Sequence, residues 1–492
     1  MHDAPTPYAT GRDNQVGRRT SVPKLNGRVY TPDALARHVV DGLGMATRWL
    51  DPSCGDGAFL AAVLQRAIDD GAPGLHVEGW DIDGDALAAA SARLEPLARA
   101  AGATLSLVHR DALDPTDARF DRVVGNPPYL ESKRMSDALK RRLRKGGWEA
   151  ATGAFDLYAI FVELASRLVS PGGQVSLIVP NRLLVTGATA GLRALLLSRG
   201  TVSLEDRGGA GDFGAAAAVY PVVLTWTEGG PRTLRARGAD EGLEHTLIAS
   251  KLGGRWGVPW HGVGGALLRR VLREPSLTPL SDPFEIRWTV SFHRAGLRER
   301  FVSADRPHSP HARRFLGGGS FAGNRELDDG EIRWAGAWVD YDEARAREVG
   351  NAFPAIALFD APKVVVAQNA RRCRAALDRS GLVLKDTFLL VRPRDGQDDE
   401  ERGLEWLVWV LQSDVFHVLY AQLFAGTRKG GGYLHFLGSY LASVPIPPPP
   451  PGPLEGVDRA TAERLVRDAY GVTAEEAAWL DASAGVAWPL PC

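Results

Sequence analysis

Short apolar runs alternate with helical stretches along the first half of the chain. The stretches between the runs repeat apolar residues at positions i, i+3 and i+4, which predicts helices packed on one face. The predicted strands are residues 48–51, 76–81, 104–109, 120–125, 174–180 and 219–226. The predicted helices are residues 58–69, 86–101, 154–169 and 189–197. Alternation of this kind predicts an α/β fold with a parallel, doubly wound sheet that helices cover on both faces.

The alternation is lost around residues 228–260, and the pattern beyond them is less regular. A run of prolines, PIPPPPPGP at 445–453, is typical of a stiff surface linker, because consecutive prolines form an extended chain. The predicted segments are a flexible N-terminal segment at 1–26, a first domain at 27–235, a second, mixed α+β domain at 236–447, and a proline-rich linker and C-terminal tail at 448–492.

Composition narrows the class of protein. A chain of 492 residues with 45% hydrophobic and 24% charged residues is typical of a soluble protein with two or three domains. No secretory signal and no run of about 18 apolar residues is visible, so we expect a cytoplasmic protein without membrane association. The three cysteines, Cys54, Cys373 and Cys492, lack a close pairing spacing, which argues against a disulfide framework and a zinc site. We therefore expect no metal.

The net charge of −1 does not favour a polyanion, but the charges are unevenly distributed. Residues 131–145 carry seven Lys and Arg against two acids, and residues 361–394 carry eight against two. Residues 395–405, in contrast, hold six acids and one arginine. Separated basic stretches can form a basic face on a neutral protein, although solvated helix and loop surface is the alternative for each of them. The distribution favours a polyanionic partner.

A loop of small residues, LDPSCGDGAFL at 50–60, joins the first predicted strand to a helix. Such a loop lets a ligand approach the backbone at the helix N-terminus. It is not GxGxxG and lacks the Lys-Ser/Thr of a P-loop, so a nucleoside triphosphate is disfavoured. Acids end the first two strands and follow the third, at Asp51, Asp81 and Asp111. The carboxyl ends of strands in a doubly wound sheet line its ligand crevice.

These three acids predict the chemistry of the ligand. A phosphate-bearing cofactor would be repelled by them, whereas the cation S-adenosylmethionine (SAM) would be accommodated. An acid after the second strand, Asp81, suits a ribose diol, and one after the third, Asp111, suits an adenine amino group. Asp51 is then placed to face an ammonium group. As single residues, these acids are also typical of caps and turns.

The motif NPPY, formed by Asn126, Pro127, Pro128 and Tyr129, follows the fourth predicted strand. Proline fixes φ and lacks a backbone N–H, so the direction of the carbonyl groups in this motif is held by the rings. An amide and an aromatic face beside them suit a flat heterocycle with an exocyclic amine. An ordinary loop that begins with an Asn-Pro turn is the alternative.

The motifs DPSCGDGAF, GWDID, RDAL and NPPY, in this order and spacing, resemble those of the gamma-class, TaqI-type N6-adenine DNA methyltransferases. The resemblance covers about residues 25–450. GRVYTPDALARHVVDGL (27–43) looks like the family's cofactor-binding segment, and LFAGTRKGGGYLHFLGSYLASVPIP (423–447) is similar to the end of its target-recognition domain. The resemblance implies a Rossmann-like class I SAM-dependent methyltransferase domain at 27–235 and a DNA target-recognition domain at 236–447.

The resemblance also implies an activity and its residues. The family transfers a methyl group from SAM to N6 of an adenine flipped out of duplex DNA, in restriction-modification or phage-defence systems. Its cofactor contacts match Thr31, Asp51, Ser53, Cys54, Gly55, Asp81, Ile82 and Asp111. Its catalytic tetrad matches Asn126, Pro127, Pro128 and Tyr129. A second aromatic residue that packs on the flipped adenine matches Phe213, with Tyr220 as a rival. Cys54 is expected to line the cofactor loop, because the nucleophilic cysteine of C5-cytosine enzymes follows the fourth strand instead.

Two other functions stay open at this point. An RNA adenine or protein-glutamine methyltransferase shares the NPPY motif, and a catalytically idle DNA-binding subunit of a defence complex would share the second domain. The basic second domain favours double-stranded DNA as the partner, and the intact tetrad favours an enzyme. Endonuclease activity is not expected, since no PD-(D/E)xK pattern stands out, so a separate restriction endonuclease or defence subunit is a candidate partner. Segments 364–381 and 426–435 combine Arg, Asn and Gln with glycines, which predicts base contacts.

Overall fold

The computed structural model describes ten ranges of the chain, and its first half alternates strands and helices. The described ranges are 31–206, 221–237, 244–246, 254–256, 262–292, 294–317, 326–328, 330–394, 400–424 and 433–483. The strands of the first half are β1 (Arg48–Asp51), β2 (His76–Asp81), β3 (Thr104–His109), β4 (Phe120–Gly125), β5 (Val169–Pro180), β6 (Gly200–Asp206), β7 (Pro221–Arg237) and β8 (Glu244–Thr246). Its helices are α1 (Asp33–Asp41), α2 (Ala58–Asp70), α3 (Gly84–Ala100), α4 (Asp137–Lys145), α5 (Leu157–Leu168) and α6 (Ala190–Arg199).

These strands form one sheet in the order β3-β2-β1-β4-β5-β7-β6, with β8 paired to β7. Strands β1 to β5 run parallel, whereas β7 is antiparallel to β5. The predicted doubly wound α/β fold is therefore confirmed. The order of the strands reverses between β1 and β4, and ligands of such sheets bind outside the carboxyl ends of the strands at that reversal.

Both faces of the sheet are buried, which explains why the sequences of its strands are apolar runs. Side chains alternate across a strand, so neighbouring residues enter different cores. Trp49 and Val124 pack in a core with residues of α1, α2 and α3. Leu50 and Val123 pack on the other face, in a core that includes α5. This second core, which we call the joint core, continues into helices of the second half of the chain.

Strand β7 is longer than predicted because the chain reverses within it. Gly229 and Gly230 adopt φ values of 75° and 71°, which favour glycine, and Val202 of β6 then pairs with both Trp226 and Leu234. The predicted boundary between residues 235 and 236 falls inside this strand. The sheet of the first half therefore extends beyond that boundary, to β8.

The second half is built from short strands and helices. Its strands are β9 (Thr278–Pro279), β10 (Phe284–Arg287), β11 (Val302–Ser303), β12 (Ala312–Leu316), β13 (Leu327–Asp328), β14 (Glu331–Ile332), β15 (Trp338–Asp340), β16 (Lys363–Ala367), β17 (Asn369–Ala370), β18 (Ala375–Asp378), β19 (Val383–Leu384), β20 (Phe388–Pro393), β21 (Leu434–His435) and β22 (Pro445–Ile446). Its helices are α7 (Gly262–Val271), α8 (Glu343–Glu348), α9 (Ala357–Asp360), α10 (Glu400–Gln412), α11 (Asp414–Leu423), α12 (Gly438–Leu441), α13 (Arg459–Ala469) and α14 (Ala474–Ser483).

Two four-stranded sheets organise this half, in the orders β10-β20-β16-β18 and β11-β15-β12-β19. A single hydrophobic core joins them, with Val365 and Leu390 from the first sheet and Phe315 and Val339 from the second. The mixed α+β architecture predicted for this part of the chain is confirmed. None of the helices in the described ranges combines the length and the apolar composition that crossing a bilayer requires.

The segment predicted as a linker and tail packs on the second half. Trp406 of α10 donates its indole N–H to the Pro447 carbonyl at 2.9 Å, and Arg402 donates to the Gly452 carbonyl at 2.7 Å. Val466 of α13 and Leu480 of α14 are buried in the joint core. Residues 448–483 are therefore part of the packed body.

Candidate active site

The loop between β1 and α2 is fastened to the end of β2. The Cys54 N–H donates to the Trp80 carbonyl at 2.9 Å, and the Gly55 N–H donates to Asp81 Oδ2 at 2.9 Å. Gly79 leaves the space for this approach, since a Cβ there would lie 2.9 Å from Cys54 Sγ. The small-residue loop is thus held at the carboxyl edge of the sheet, where the sequence placed the cofactor.

Asp51 ends β1 and is 1% exposed. Its Oδ1 accepts from the Ser53 N–H at 3.0 Å, and a Cβ on Gly125 at the end of β4 would lie 2.7 Å from the same oxygen. Burial raises the pKa of Asp51 from 3.8 to about 8; the Ser53 hydrogen bond opposes this rise, and the charges of Asp81 and Asp56 add to it. A cation beside Asp51 would therefore stabilise a carboxylate that the protein alone disfavours.

Asp81 and Ile82 form the next part of this edge, at the end of β2. Asp81 Oδ1 accepts from the Asp83 N–H at 2.9 Å, and its Oδ2 holds Gly55. A carboxylate offers about four acceptor positions, so Asp81 keeps room for two hydroxyl groups. Ile82 is 67% exposed. An exposed apolar side chain beside an acid suits a flat ring linked to a diol.

Asp111 lies beyond the end of β3 and is bound by an arginine. Its Oδ1 accepts from the Leu113 N–H at 2.9 Å, and its Oδ2 lies 2.7 Å from Arg142 Nη1. Arg142 also pairs with Asp114 at 2.9 Å. The sequence analysis counted the basic stretch 131–145 among those that favour a polyanionic partner, but Arg142 of that stretch turns toward the acids of the cofactor edge.

Asn126 follows β4, which pairs with β1, so the tetrad begins next to Asp51, at the carboxyl edge that also carries the other two acids. The Asn126 side-chain N–H donates to Thr31 Oγ1 at 3.1 Å. Thr31 matched the family's cofactor contacts, and here it orients the amide of the tetrad. Pro127 is buried and Pro128 is half-buried, so the backbone between Asn126 and Tyr129 is enclosed by the protein.

Tyr129 is held in one orientation by two contacts. Its hydroxyl donates to the Ile178 carbonyl at 3.1 Å, and its ring meets the edge of Tyr158 at a centroid distance of 6.3 Å and an angle of 81°. Burial raises the pKa of Tyr129, so the hydroxyl stays protonated and keeps donating. A fixed aromatic plane is what stacking on a flat base requires.

Two residues that the sequence analysis did not single out hold the loop after the tetrad. Asp156 accepts from the Ser132 N–H at 3.0 Å, and Arg182 lies 3.5 Å from Asp156 and 3.4 Å from Glu131. Asp156 directly precedes α5. An acid before an apolar helical run is a signal of a helix start, so the sequence could have indicated Asp156.

The structure thus brings the predicted residues from Thr31 to Tyr129 to one edge of the sheet, whereas Phe213 and its rival Tyr220 lie outside the described residues. Cys54 is buried, and burial raises the pKa of its thiol, which disfavours the thiolate that a nucleophile needs. Within the described ranges, no group of three or more His, Cys, Asp and Glu side chains is placed to hold a metal ion.

Two family models match separate parts of the chain. Residues 100–204 match the Eco57I restriction-modification methylase, and this range contains the tetrad. Residues 321–446 match the TaqI-like C-terminal specificity domain, and this range contains strands β16 to β21. Both parts of the chain are therefore similar to TaqI-like methyltransferases of restriction-modification systems. This family and the fold imply SAM as the cofactor.

Curated members of such systems align with parts of the chain. The Type II methyltransferase M.TthHB8I of Thermus thermophilus is 32% identical over 213 residues, which cover 42% of this chain and 45% of that relative. The Type II methyltransferase M.BstVI of Geobacillus stearothermophilus is 27% identical over 192 residues, which cover 32% of this chain and 34% of that relative. The aligned part of this TaqI-like chain therefore spans less than half the length of either relative.

A solved structure resembles both halves of this TaqI-like protein. The Type IIL restriction-modification enzyme MmeI, solved in complex with DNA, superposes with a TM-score of 0.53 and covers 92% of this chain and 73% of its own. The sequence identity is 13%, so the likeness concerns the fold.

Proposed function

We propose that this protein transfers the methyl group of SAM to N6 of an adenine in duplex DNA, as the modification enzyme of a restriction-modification or phage-defence system. The observation that supports this most strongly is the position of the tetrad, which begins beside Asp51 at the carboxyl edge of the sheet that also carries Asp81 and Asp111. The specificity-domain match over residues 321–446 favours DNA over RNA or a protein glutamine as the substrate.

The cofactor edge fits SAM by the chemistry of its side chains. Asp51 would face the ammonium, Asp81 the ribose hydroxyls and Asp111 the adenine amino group, while Ile82 would cover the adenine ring. When bound there, SAM supplies a methyl group activated by a positively charged sulfur. Three acids would repel a phosphate, so the same residues disfavour a nucleotide cofactor.

The tetrad would act on the nitrogen that receives the methyl group. An exocyclic N6 is a weak nucleophile, because its lone pair is delocalised into the ring. The side-chain oxygen of Asn126 and the carbonyl of Pro127 would accept the two N6 protons and draw the nitrogen toward tetrahedral geometry. Tyr129 would stack on the base, which must leave the duplex to be reached. Catalysis would then rest on the positioning of the adenine and on the two acceptor oxygens directed at N6. No covalent enzyme intermediate is needed.

The affinity for SAM is expected to rise with pH between about pH 5.5 and 7. Burial raises the pKa of Asp51 to about 8, so the free protein holds a proton there in this range. A cation facing Asp51 lowers its pKa, so binding expels that proton and the affinity grows by up to about tenfold per pH unit. Titration calorimetry at several pH values measures this slope. Asp51→Asn should remove it, and a wild-type affinity that stays constant would exclude contact between Asp51 and the cation.

Asp81→Ala is expected to weaken SAM binding by about 1.5–3 kcal/mol, the range for losing a hydrogen bond to a charged group. Calorimetry on the folded variant measures this loss. Asp85 is an exposed acid in the first turn of α3, so Asp85→Ala serves as the matched control and should bind SAM as the wild type does. Unchanged affinity in Asp81→Ala would remove this acid from the site.

A labelling experiment tests the proposed function against its alternatives. The protein is incubated with SAM that carries a labelled methyl group, together with duplex DNA, RNA and cellular protein. Label in the DNA is expected. Label in RNA or in protein glutamine would favour the alternative methyltransferases instead. SAM binding without any transfer would favour an idle DNA-binding subunit.

The setting of the protein is part of the same proposal. A modification enzyme protects host DNA from a nuclease of matching specificity, so we propose a separate restriction endonuclease or defence subunit as its functional partner. Because its substrate is the host DNA, we also propose a cytoplasmic location.

A further inference from the structure

Described residues from the two segments that the sequence analysis singled out for base contacts lie side by side. Strand β17 pairs antiparallel with β21, and Asn369 lies opposite His435 in this register. Arg371 follows β17 and Tyr433 precedes β21, so they face each other at the end of a two-stranded ribbon. The Arg371 guanidinium carbon lies 5.6 Å from the centre of the Tyr433 ring. Both residues are exposed, Tyr433 to 41%.

The other end of this ribbon is fixed in the protein. Ala370 and Leu434 are each 3% exposed and belong to the joint core, against which Tyr129 of the tetrad also packs. The Tyr420 hydroxyl donates to the His435 carbonyl at 2.7 Å, and the Phe436 N–H donates to the Gln368 carbonyl at 2.8 Å. The buried end of the ribbon therefore holds the exposed Arg371 in a fixed position, as a recognition element requires.

The neighbouring arginines have partners within the protein. Arg372 pairs with Asp414, and Arg374 donates to the Leu327 carbonyl at 3.4 Å. Arg379 pairs with two acids of α10, Glu401 at 2.5 Å and Glu405 at 2.6 Å. Among the residues that the structure describes, no carboxylate pairs with Arg371. Arg371 thus presents an exposed positive charge to a partner outside the protein.

We propose that Arg371, supported by the ring of Tyr433, reads a guanine in the recognition sequence, an inference that rests on the proposed DNA methylation. A two-stranded ribbon fits the major groove, where guanine presents O6 and N7 as acceptors. The planar fork of an arginine matches both acceptors at once. The Tyr433 ring attracts the guanidinium and limits its rotation, so the Arg371 side chain loses less conformational entropy when it binds the guanine.

The test uses the full-length protein, SAM and a pool of DNA duplexes with random sequence. Sequencing of the methylated positions gives the recognition sequence of the wild type and of each variant. Arg371→Gln should keep transferring methyl groups but lose the preference for guanine at one position, with a fall of about 5- to 150-fold on the wild-type site. Tyr433→Leu should weaken the same preference, whereas Tyr433→Phe keeps the ring and should retain it. Arg379→Gln is the matched control and should leave the sequence unchanged.

The outcomes separate this inference from the proposed function. If Arg371→Gln loses activity equally on all sequences and its binding depends less on salt, then Arg371 contacts a phosphate and the inference is wrong. An unchanged recognition sequence and rate would also overturn it. If the wild-type protein methylates no DNA, the proposed function fails, and the guanine contact fails with it.

Discussion

Replacing Asn126 by alanine is expected to lower the single-turnover rate of methyl transfer to DNA by at least about a hundredfold. In the proposed mechanism the variant removes one of the two acceptors for the N6 protons, and such a contact gains its strength as the transition state forms. Binding of SAM should stay close to the wild type, because the acids at the ends of the strands are untouched. DNA affinity should also change little, since phosphate contacts supply most of it.

Thr31→Val gives a graded companion to this variant. It removes only the hydroxyl that accepts from the Asn126 side chain at 3.1 Å, so the acceptor oxygen stays but its direction is less well held. The loss of one neutral hydrogen bond predicts a rate about 2- to 13-fold lower. Quench-flow measurement at saturating SAM and DNA compares the three proteins. A wild-type rate in Asn126→Ala would refute the proposed role of the amide.

Lys363→Met is expected to destabilise the second half of the chain by about 3–5 kcal/mol. Lys363 Nζ lies 2.6 Å from Asp378 Oδ2, and the two side chains are 0% and 2% exposed. Burial lowers the pKa of Lys363, while the charge of Lys363 holds the pKa of Asp378 below its usual value against the opposing effect of burial. The substitution leaves the Asp378 carboxylate buried without its countercharge, which is the costly part of breaking such a pair.

Adding Asp378→Asn to Lys363→Met should recover part of this loss. The double variant removes the second charge, and an asparagine can still accept from the Ser380 N–H, which donates to Asp378 Oδ1 at 2.8 Å. Urea unfolding followed by tryptophan fluorescence gives the free energies of the three proteins. The deficit of the single variant should shrink at acid pH, because protonation then neutralises Asp378. A double variant less stable than the single one would contradict this explanation.

Much of the first half could be predicted because its signals are local. Strands β1 to β4 have the predicted bounds, since each is a short run that ends at a polar residue or a glycine: Asp51, Asp81, His109 and Gly125. The acids of the cofactor edge could be placed for the same reason, because a parallel sheet brings the carboxyl ends of its strands together. The family motifs then gave each of these acids a predicted role.

The remaining features depend on contacts between distant residues. Thr31 meets Asn126 across 95 residues, and Arg142 turns to Asp111 across 31 residues. Neither pairing follows from local composition. Arg142, for example, could have paired with any exposed carboxylate. The reversal inside β7 depends on its pairing with β6, and the ribbon of β17 and β21 depends on the joint core beneath it. Such features require the whole fold.

The chemical identity of the methylated nucleoside tests the central claim most directly. Duplex DNA of random sequence is incubated with the full-length protein and labelled SAM, digested to nucleosides and separated by liquid chromatography with mass detection. We expect the label in N6-methyldeoxyadenosine. We also expect Asn126→Ala to form this nucleoside at least about a hundredfold more slowly than the wild type does. Label in a methylated cytosine, or equal label from Asn126→Ala, would contradict the account.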